Sequence, residues 1–307
     1  MVKSSITKLR KGMFMKKLLF LVNPITARAT VTPHLIDIID IFEKSGYDVT
    51  IHITKRRDDI REMMMSVGSY YDTVVCAGGD GTLNETVSGV IKLDKKPKIG
   101  YIPSGTTNDF AQSWGIPKKP LDAAKSIVTT DPVPTDVSVF CGRPFVYVAA
   151  FGAFTEVSYQ TPQQLKQSLG RTAYIVEGIK SLATIRPWKL KIEHDSGTVE
   201  GEFFYGMISN TRRVGGFELK MKEQISISDG LMEVILVRKP DKPVDNAKML
   251  GAVLAQDTHS EFITFEHTKN IRFTGEADLP WTVDGENGGI VRKGDVTILE
   301  RAIELFF

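Results

Sequence analysis

The stretch VVCAGGDGTLNETVSGV, Val74 to Val90, decides the fold. An apolar run enters a double glycine, an acid, a third glycine and then a tail able to form a helix. That order reads as strand, turn and helix. Glycine has no Cβ, so its backbone N–H approaches an anion closely and takes positive φ without strain. A helix beginning near Leu83 would add the positive end of its dipole. Asp80 repels a bare phosphate, so it suits either a Mg2+ placed between them or the ordering of the loop. A plain turn accounts for one glycine; three glycines around an acid point to a phosphate cradle. The spacing is neither that of a P-loop, which needs a lysine and a hydroxyl, nor that of a dinucleotide fingerprint.

On either side of this stretch, strand and helix patterns alternate. Lys17–Val22, Tyr47–Thr54, Thr73–Ala77 and Lys98–Ile102 read as strands. Pro33–Ser45 carries apolar residues at helical spacing and stops at Gly46; Asp58–Val67 and Leu83–Ile91 are further helices. Such βα units build a parallel sheet, whose carboxyl edge is where open α/β folds bind ligands. A second polar turn, YIPSGTTNDF from Tyr101 to Phe110, falls on that edge, with Thr106, Asn108 and Asp109 able to reach phosphate, ribose or a metal water. The first turn, NPITARAT from Asn23, offers Thr26 and Arg28.

After Asp136 the pattern changes. Val137–Phe140, Phe145–Ala150, Leu190–Glu193, Gly201–Ser209 and Leu231–Val237 read as strands, with helices only near Gln163–Thr184 and Pro243–Leu254. The end, over Phe262–Thr274, Trp281–Val283 and Ile290–Leu299, is again β-rich. The expected architecture is a doubly wound α/β nucleotide-binding domain over 13–137, completed by 297–307, and an antiparallel β-sandwich domain over 138–296. Two acidic turns lie in this half. In PWTVDGENGG, Asp284 and Glu286 flank one glycine and would share a face in extended geometry, which suits base catalysis; a solvated hairpin tip explains the same residues. SISDGLMEV, from Ser226, is either a plain turn or a small oxygen-ligand metal site.

Apolar content of 42% and charged content of 25% fit a soluble globular protein with a sizeable core. A formal charge of +2 makes nucleic acid an unexpected partner. Cys76 and Cys141 lie in strand-like apolar contexts and read as buried reduced thiols. The basic lead MVKSSITKLRKGMFMKK precedes too short an apolar run for a signal peptide, and no run approaches the ~20 residues that span a bilayer. The five histidines have no metal-ligand spacing, and no G-x-S-x-G is present, so a hydrolase is poorly supported.

GGDGTLNE with PSGTTNDF resembles the diacylglycerol kinase catalytic-domain family, specifically the bacterial soluble lipid kinases, within a wider group that includes NAD kinases and sphingosine kinases. The likeness continues in order through Asn23-Pro24, TDVSVF around Asp136, VAAFGAFTEVSY from Val148, VGGFELK from Val214, SISDGLMEV and VDGE at Val283–Glu286. It implies nucleotide contacts from Asn23, Pro24, Thr54, Gly79, Asp80, Gly81, Thr82, Leu83, Asn84, Glu85 and Thr106. It implies that Asp80, Asp109 and Asp136 organise a catalytic Mg2+ and its waters. Glu286 would be the proton acceptor, supported by Asp284, and Ser226, Asp229 and Leu231 match a structural Mg2+ position. The implied reaction moves the γ-phosphate of ATP to a lipid hydroxyl, diacylglycerol giving phosphatidic acid. Phe110, Trp114 and Phe154 are candidates to receive acyl chains, and each reads equally well as ordinary core. The implied setting is cytoplasmic, peripheral to the inner face of the membrane; separately, edge strands of the β domain could pair into a homodimer, the oligomeric state being open. One departure stands out: the family's first loop usually carries a glycine after NP, and NPITARAT has none. The alternatives are a kinase of a soluble acceptor such as NAD and a nucleotide-binding regulator without turnover, the latter supported only by that loop.

Overall fold

A computed structural model describes residues 15–152 and 186–307. The chain forms two units: Met1–Ala111 with Gly115–Val133 and Ile303–Phe307, and Gln112–Trp114 with Pro134–Ala302.

The first unit is built on parallel strands β1 (Lys16–Val22), β2 (Tyr47–Ile53), β3 (Thr73–Gly78) and β4 (Lys98–Pro103), side by side as β4-β3-β1-β2. The tail of the last strand of the chain joins in parallel at Leu305 opposite Ile99. Central strands of a parallel sheet are covered on both faces and read as unbroken apolar runs. β3 is buried at every position, and Leu18–Val22 of β1 is buried throughout. Seven-residue β2 is an edge strand, and past buried Tyr47 it is half-buried or exposed along its length. Helices α1 (Pro24–Ala27), α2 (Leu35–Lys44), α3 (Asp59–Val67), α4 (Asp80–Val90), α5 (Asp109–Trp114) and α6 (Pro120–Thr129) connect and cover these strands. Ile38 and Phe42, four apart on α2, face inward, and Phe42 meets Phe20 edge to face with ring centroids 5.8 Å apart. Gly46 follows α2 at φ +87°, the left-handed position that ends many helices.

The second unit is antiparallel. Its strands are β5 (Val133–Phe140), β6 (Arg143–Phe145), β7 (Val148–Gly152), β8 (Trp188–His194), β9 (Gly197–Ser209), β10 (Arg213–Val214), β11 (Phe217–Glu218), β12 (Met232–Arg238), β13 (Ile263–Thr268), β14 (Asn270–Val283) and β15 (Glu286–Leu305), with helix α7 (Asn246–Ala255). The long strands β9 and β14 change partner midway. Each pairs with β8 along one half and with β7 along the other. A break in register between Thr274 and Leu279 lets β14 turn. The sandwich that results is filled by aromatic rings: Phe140, Phe151 and Phe273 lie 4.7, 5.0 and 4.7 Å from Trp281, centroid to centroid.

Several boundaries differ from the sequence reading, and three of them have a local reason. Helix α4 begins at Asp80, not Leu83, because an acid is favoured in the first turn of a helix and Gly79 serves as its N-cap. The run Phe145–Ala150 is two strands, since Asp284 takes the N–H groups of Val146, Tyr147 and Val148. Phe262–Thr274 is likewise two strands, divided at Lys269, where Asp195 accepts from the N–H groups of Lys269 and Asn270. Cys76 is buried as expected, and burial pushes its thiol up to about 12. Cys141 is exposed: it sits in the β5–β6 turn at φ +47°. The helix expected near Gln163–Thr184 lies outside the described residues.

Candidate active site

In the first unit, the turns after β1, β3 and β4 are tied together at the carboxyl edge of the sheet. Asn23 caps α1, its Oδ1 accepting from Ile25 N at 3.0 Å, and its Nδ2 donates to Thr82 Oγ1 at 3.2 Å. Thr82 in turn packs against the space where a Cβ on Gly78 would stand, 2.2 Å from its Oγ1, so only glycine fits there. Gly79 and Gly105 pass backbone to backbone: a Cβ on Gly105 would lie 2.6 Å from Gly79 Cα. Ser104 N donates to Gly78 O at 2.7 Å, and Asp109 N donates to Asp80 Oδ2 at 3.1 Å. Asp80 therefore orders the second loop, one of the two roles open to it in the sequence. Asn108, at φ +50°, latches the loop from within by accepting from Gly105 N and donating to Gly105 O. Burial raises the phenol of Tyr101 well above its ordinary value, and the Asp80 charge adds to the shift.

Thr54 follows β2, its N–H bonded to Val22 O at 3.0 Å. Glu85 accepts from Asp58 N at 3.2 Å, which draws the β2–α3 turn to α4. Gly81, Leu83 and Asn84 belong to the first turns of α4, while Thr106 is exposed in the PSGTTNDF loop. Pro24 is the first residue of α1, and Arg28 is exposed just past it. Without a glycine, NPITARAT folds as a capped helical turn.

In the second unit the acidic turns separate into distinct roles. Asp284 occupies the β14–β15 turn at φ +50°, and its carboxylate accepts from three successive backbone N–H groups, Val146 to Val148, each at 3.0 Å. It anchors the turn. Glu286, two residues on, pairs instead with Arg143, whose Nη2 lies 3.1 Å from Oε2 while Nη1 donates to Asn287 O at 2.7 Å. Tyr147 carries the anchor further, its hydroxyl accepting from Gly215 N at 2.5 Å in the VGGF segment. Asp136 is buried and braces the SISDGL turn, accepting from Gly230 N at 2.7 Å and Arg301 N at 2.6 Å. Burial raises its carboxyl, against the pull of those two donors. Ser226 and Asp229 each accept from a backbone N–H two residues ahead, Ser228 and Leu231.

Asp80 and Asp109 supply carboxylate oxygens, the hard donors that Mg2+ takes. No three His, Cys, Asp or Glu side chains gather into a ready cage among the described residues. Mg2+ characteristically keeps waters and substrate phosphates in its shell, so a partial set of protein oxygens fits it. The acyl-chain candidates fare unevenly. Phe110 is core, stacked on Phe307 at 6.4 Å, and the Trp114 ring carries the Arg212 guanidinium at 4.6 Å. Phe154 lies outside the described residues.

Residues 17–140 match the diacylglycerol kinase catalytic domain model, and residues 149–306 match the YegS C-terminal NAD kinase beta sandwich-like domain. A diacylglycerol kinase of Bacillus subtilis is 31% identical over 293 residues, covering 95% of this chain and 96% of its own. One from Staphylococcus aureus is 32% identical over 292 residues, covering 95% and 92%. Among solved structures, a diacylglycerol kinase from Bacillus anthracis superposes with a TM-score of 0.75 at 21% identity, covering 96% and 97%. An NAD kinase from Archaeoglobus fulgidus does so at 0.51 and 11% identity, covering 94% and 93%. Both structural likenesses speak for the fold alone. On the sequence matches, the chain belongs to the diacylglycerol kinase catalytic-domain family and is an ATP-dependent phosphotransferase with an alcohol group as acceptor.

Proposed function

We propose that this protein is a Mg2+-dependent lipid kinase that transfers the γ-phosphate of ATP to a lipid hydroxyl, with diacylglycerol the first substrate and phosphatidic acid the product. The observation that carries this reading is the joining of the β1, β3 and β4 turns through Asn23–Thr82, Gly79–Gly105 and Asp80–Asp109. Phosphoryl transfer needs positioning and charge neutralisation more than covalent chemistry. Gly78 and Gly79 let backbone approach a polyphosphate, and the N-terminus of α4 favours its charge. A bound Mg2+, held by Asp80 and Asp109, would neutralise the phosphate oxygens.

The acceptor hydroxyl becomes a nucleophile as its proton leaves. Glu286 takes that proton, the alcohol oxygen bonds to the γ-phosphorus, and the bond to the ADP oxygen breaks. Arg143 orients the Glu286 carboxylate, and Asp284 fixes the turn that carries it. The acceptor is met at a membrane surface, with the protein peripheral to it, and the β13 edge is the proposed pairing surface for a homodimer. No helix among the described residues is long and apolar enough to cross a membrane.

The test is transfer of labelled γ-phosphate, with Mg2+, to a panel of lipid alcohols in mixed micelles and to NAD+ in parallel. Label in phosphatidic acid supports the reading. Label only in NADP+, or in no acceptor, overturns it.

A further inference from the structure

Tyr101 is a fully buried phenol in the first unit that no step of the proposed reaction uses. It lies within β4, opposite Cys76 of β3. Val75, Ala77 and Ile102, on either side of that pair, belong to the core shared with Ile38 and Phe42 of α2 and Ile127 of α6. Successive residues of a strand face opposite ways, so Tyr101 and Cys76 face the other side of the sheet. There the Cys76 thiol is hydrogen-bonded to Thr86 of α4. Tyr101 therefore lies on the α4 side, close enough to Asp80, the first residue of that helix, to feel its charge.

The hydroxyl donates to Asn108 Oδ1 at 3.2 Å, the same oxygen that accepts from Gly105 N at 2.9 Å. The start of the PSGTTNDF loop is fixed by Ser104 N on Gly78 O and by the passage of Gly105 against Gly79. Its far end is fixed to the sheet by the phenol. Asn108 stands at φ +50°, a backbone position that a residue other than glycine keeps only when its surroundings impose it. Asp109 follows directly, buried, with its N–H on Asp80 Oδ2 at 3.1 Å. Neighbouring carboxylates repel each other, so their spacing has to be imposed by the backbone that carries them. A shift of Asn108 would move Asp109 and change that spacing.

We infer that Tyr101 is a positioning residue of the nucleotide site, acting through Asn108 to hold Asp109 against Asp80 at the spacing that Mg2+ with ATP requires. Tyr101 itself touches neither nucleotide nor metal in this role. The inference rests on the proposed function for the use of Mg2+ with ATP, and not for the identity of the acceptor.

The test is the affinity of the full-length protein for ATP by titration calorimetry, once with Mg2+ and once in EDTA. Tyr101→Phe keeps the ring and removes the donor; it should weaken binding in Mg2+ about fivefold, the effect of one ordinary hydrogen bond, and change it less than about twofold in EDTA. Asn108→Gly keeps the backbone position and removes the latch, and should likewise weaken binding only in Mg2+. The double variant should bind no more weakly than Asn108→Gly alone, because the phenol acts only through Asn108. Tyr70→Phe, at an exposed phenol, should leave both affinities unchanged. Melting curves establish that each variant is folded, and Asn108→Gly decides if Tyr101→Phe is not. Unchanged affinity in Mg2+, equal losses in Mg2+ and EDTA, or additive losses overturn the inference, as does a wild type whose ATP binding Mg2+ does not strengthen. Transfer to no lipid, with these affinities as expected, would overturn the proposed function and leave the inference standing.

Discussion

Asp284 and Glu286 are two residues apart, yet their surroundings divide a backbone anchor from a carboxylate paired with Arg143. The sequence placed both in one short acidic turn and left open whether it was a solvated hairpin or a base. The hairpin geometry is real, and Asp284 is what holds it, through three backbone donors some 136 to 138 residues earlier in the chain. Donors that distant leave no trace in local spacing. Arg143 was missed for the same reason, since nothing around the β5–β6 turn announces that its side chain reaches Glu286. Replacing Asp284 with Asn should therefore lower stability by about 1–3 kcal/mol, read as a shift in the urea midpoint, because one carboxylate oxygen becomes a donor facing a donor. Gly105, by contrast, was visible as a glycine but not as a point of backbone contact. A Gly105→Ala side chain would collide with Gly79 Cα at 2.6 Å. We expect kcat/KM for ATP to fall at least tenfold, roughly 1.4 kcal/mol, with steady-state kinetics as the check.

At the scale of elements, regular strands and helices were legible wherever periodicity was strong. β1, β3 and α2 agree with their sequence patterns within a residue or two. Two of the errors fall where a distant carboxylate interrupts an apolar run, at Tyr147 through Asp284 and at Lys269 through Asp195. Asp195 offers a pH test. Lys269 N–H, followed by Asn270 and Thr268, holds its carboxyl down to about 2, against 3.8 ordinarily. A depressed carboxyl contributes stability above its unfolded value and loses it as pH falls through the folded one. The melting temperature of the wild type should therefore exceed that of Asp195→Asn near neutrality, and the gap should close between about pH 4 and pH 2. A constant gap over that range would show that Asp195 contributes nothing through its charge.

For the whole molecule, the change of pattern after Asp136 announced two architectures, and an α/β unit and a β-sandwich are what the chain forms. The sequence did not reveal how β9 and β14 share themselves between partners, because a strand records which face is apolar and not where its neighbour changes. The sandwich core rests on Trp281 and the three phenylalanines around it. Trp281→Ala should cost about 3–5 kcal/mol, measured by chemical denaturation followed through a probe in the second unit.

In the proposed reaction Glu286 accepts the proton of a lipid hydroxyl during transfer from ATP. Its most direct test is the rate of labelled phosphate transfer to micellar diacylglycerol by the wild type and by Glu286→Gln, with ATP binding measured on both. Phosphatidic acid is expected from the wild type, with a loss of about 10²–10⁴-fold in kcat in the variant and equal ATP affinity. A variant that turns over at the wild-type rate would contradict it.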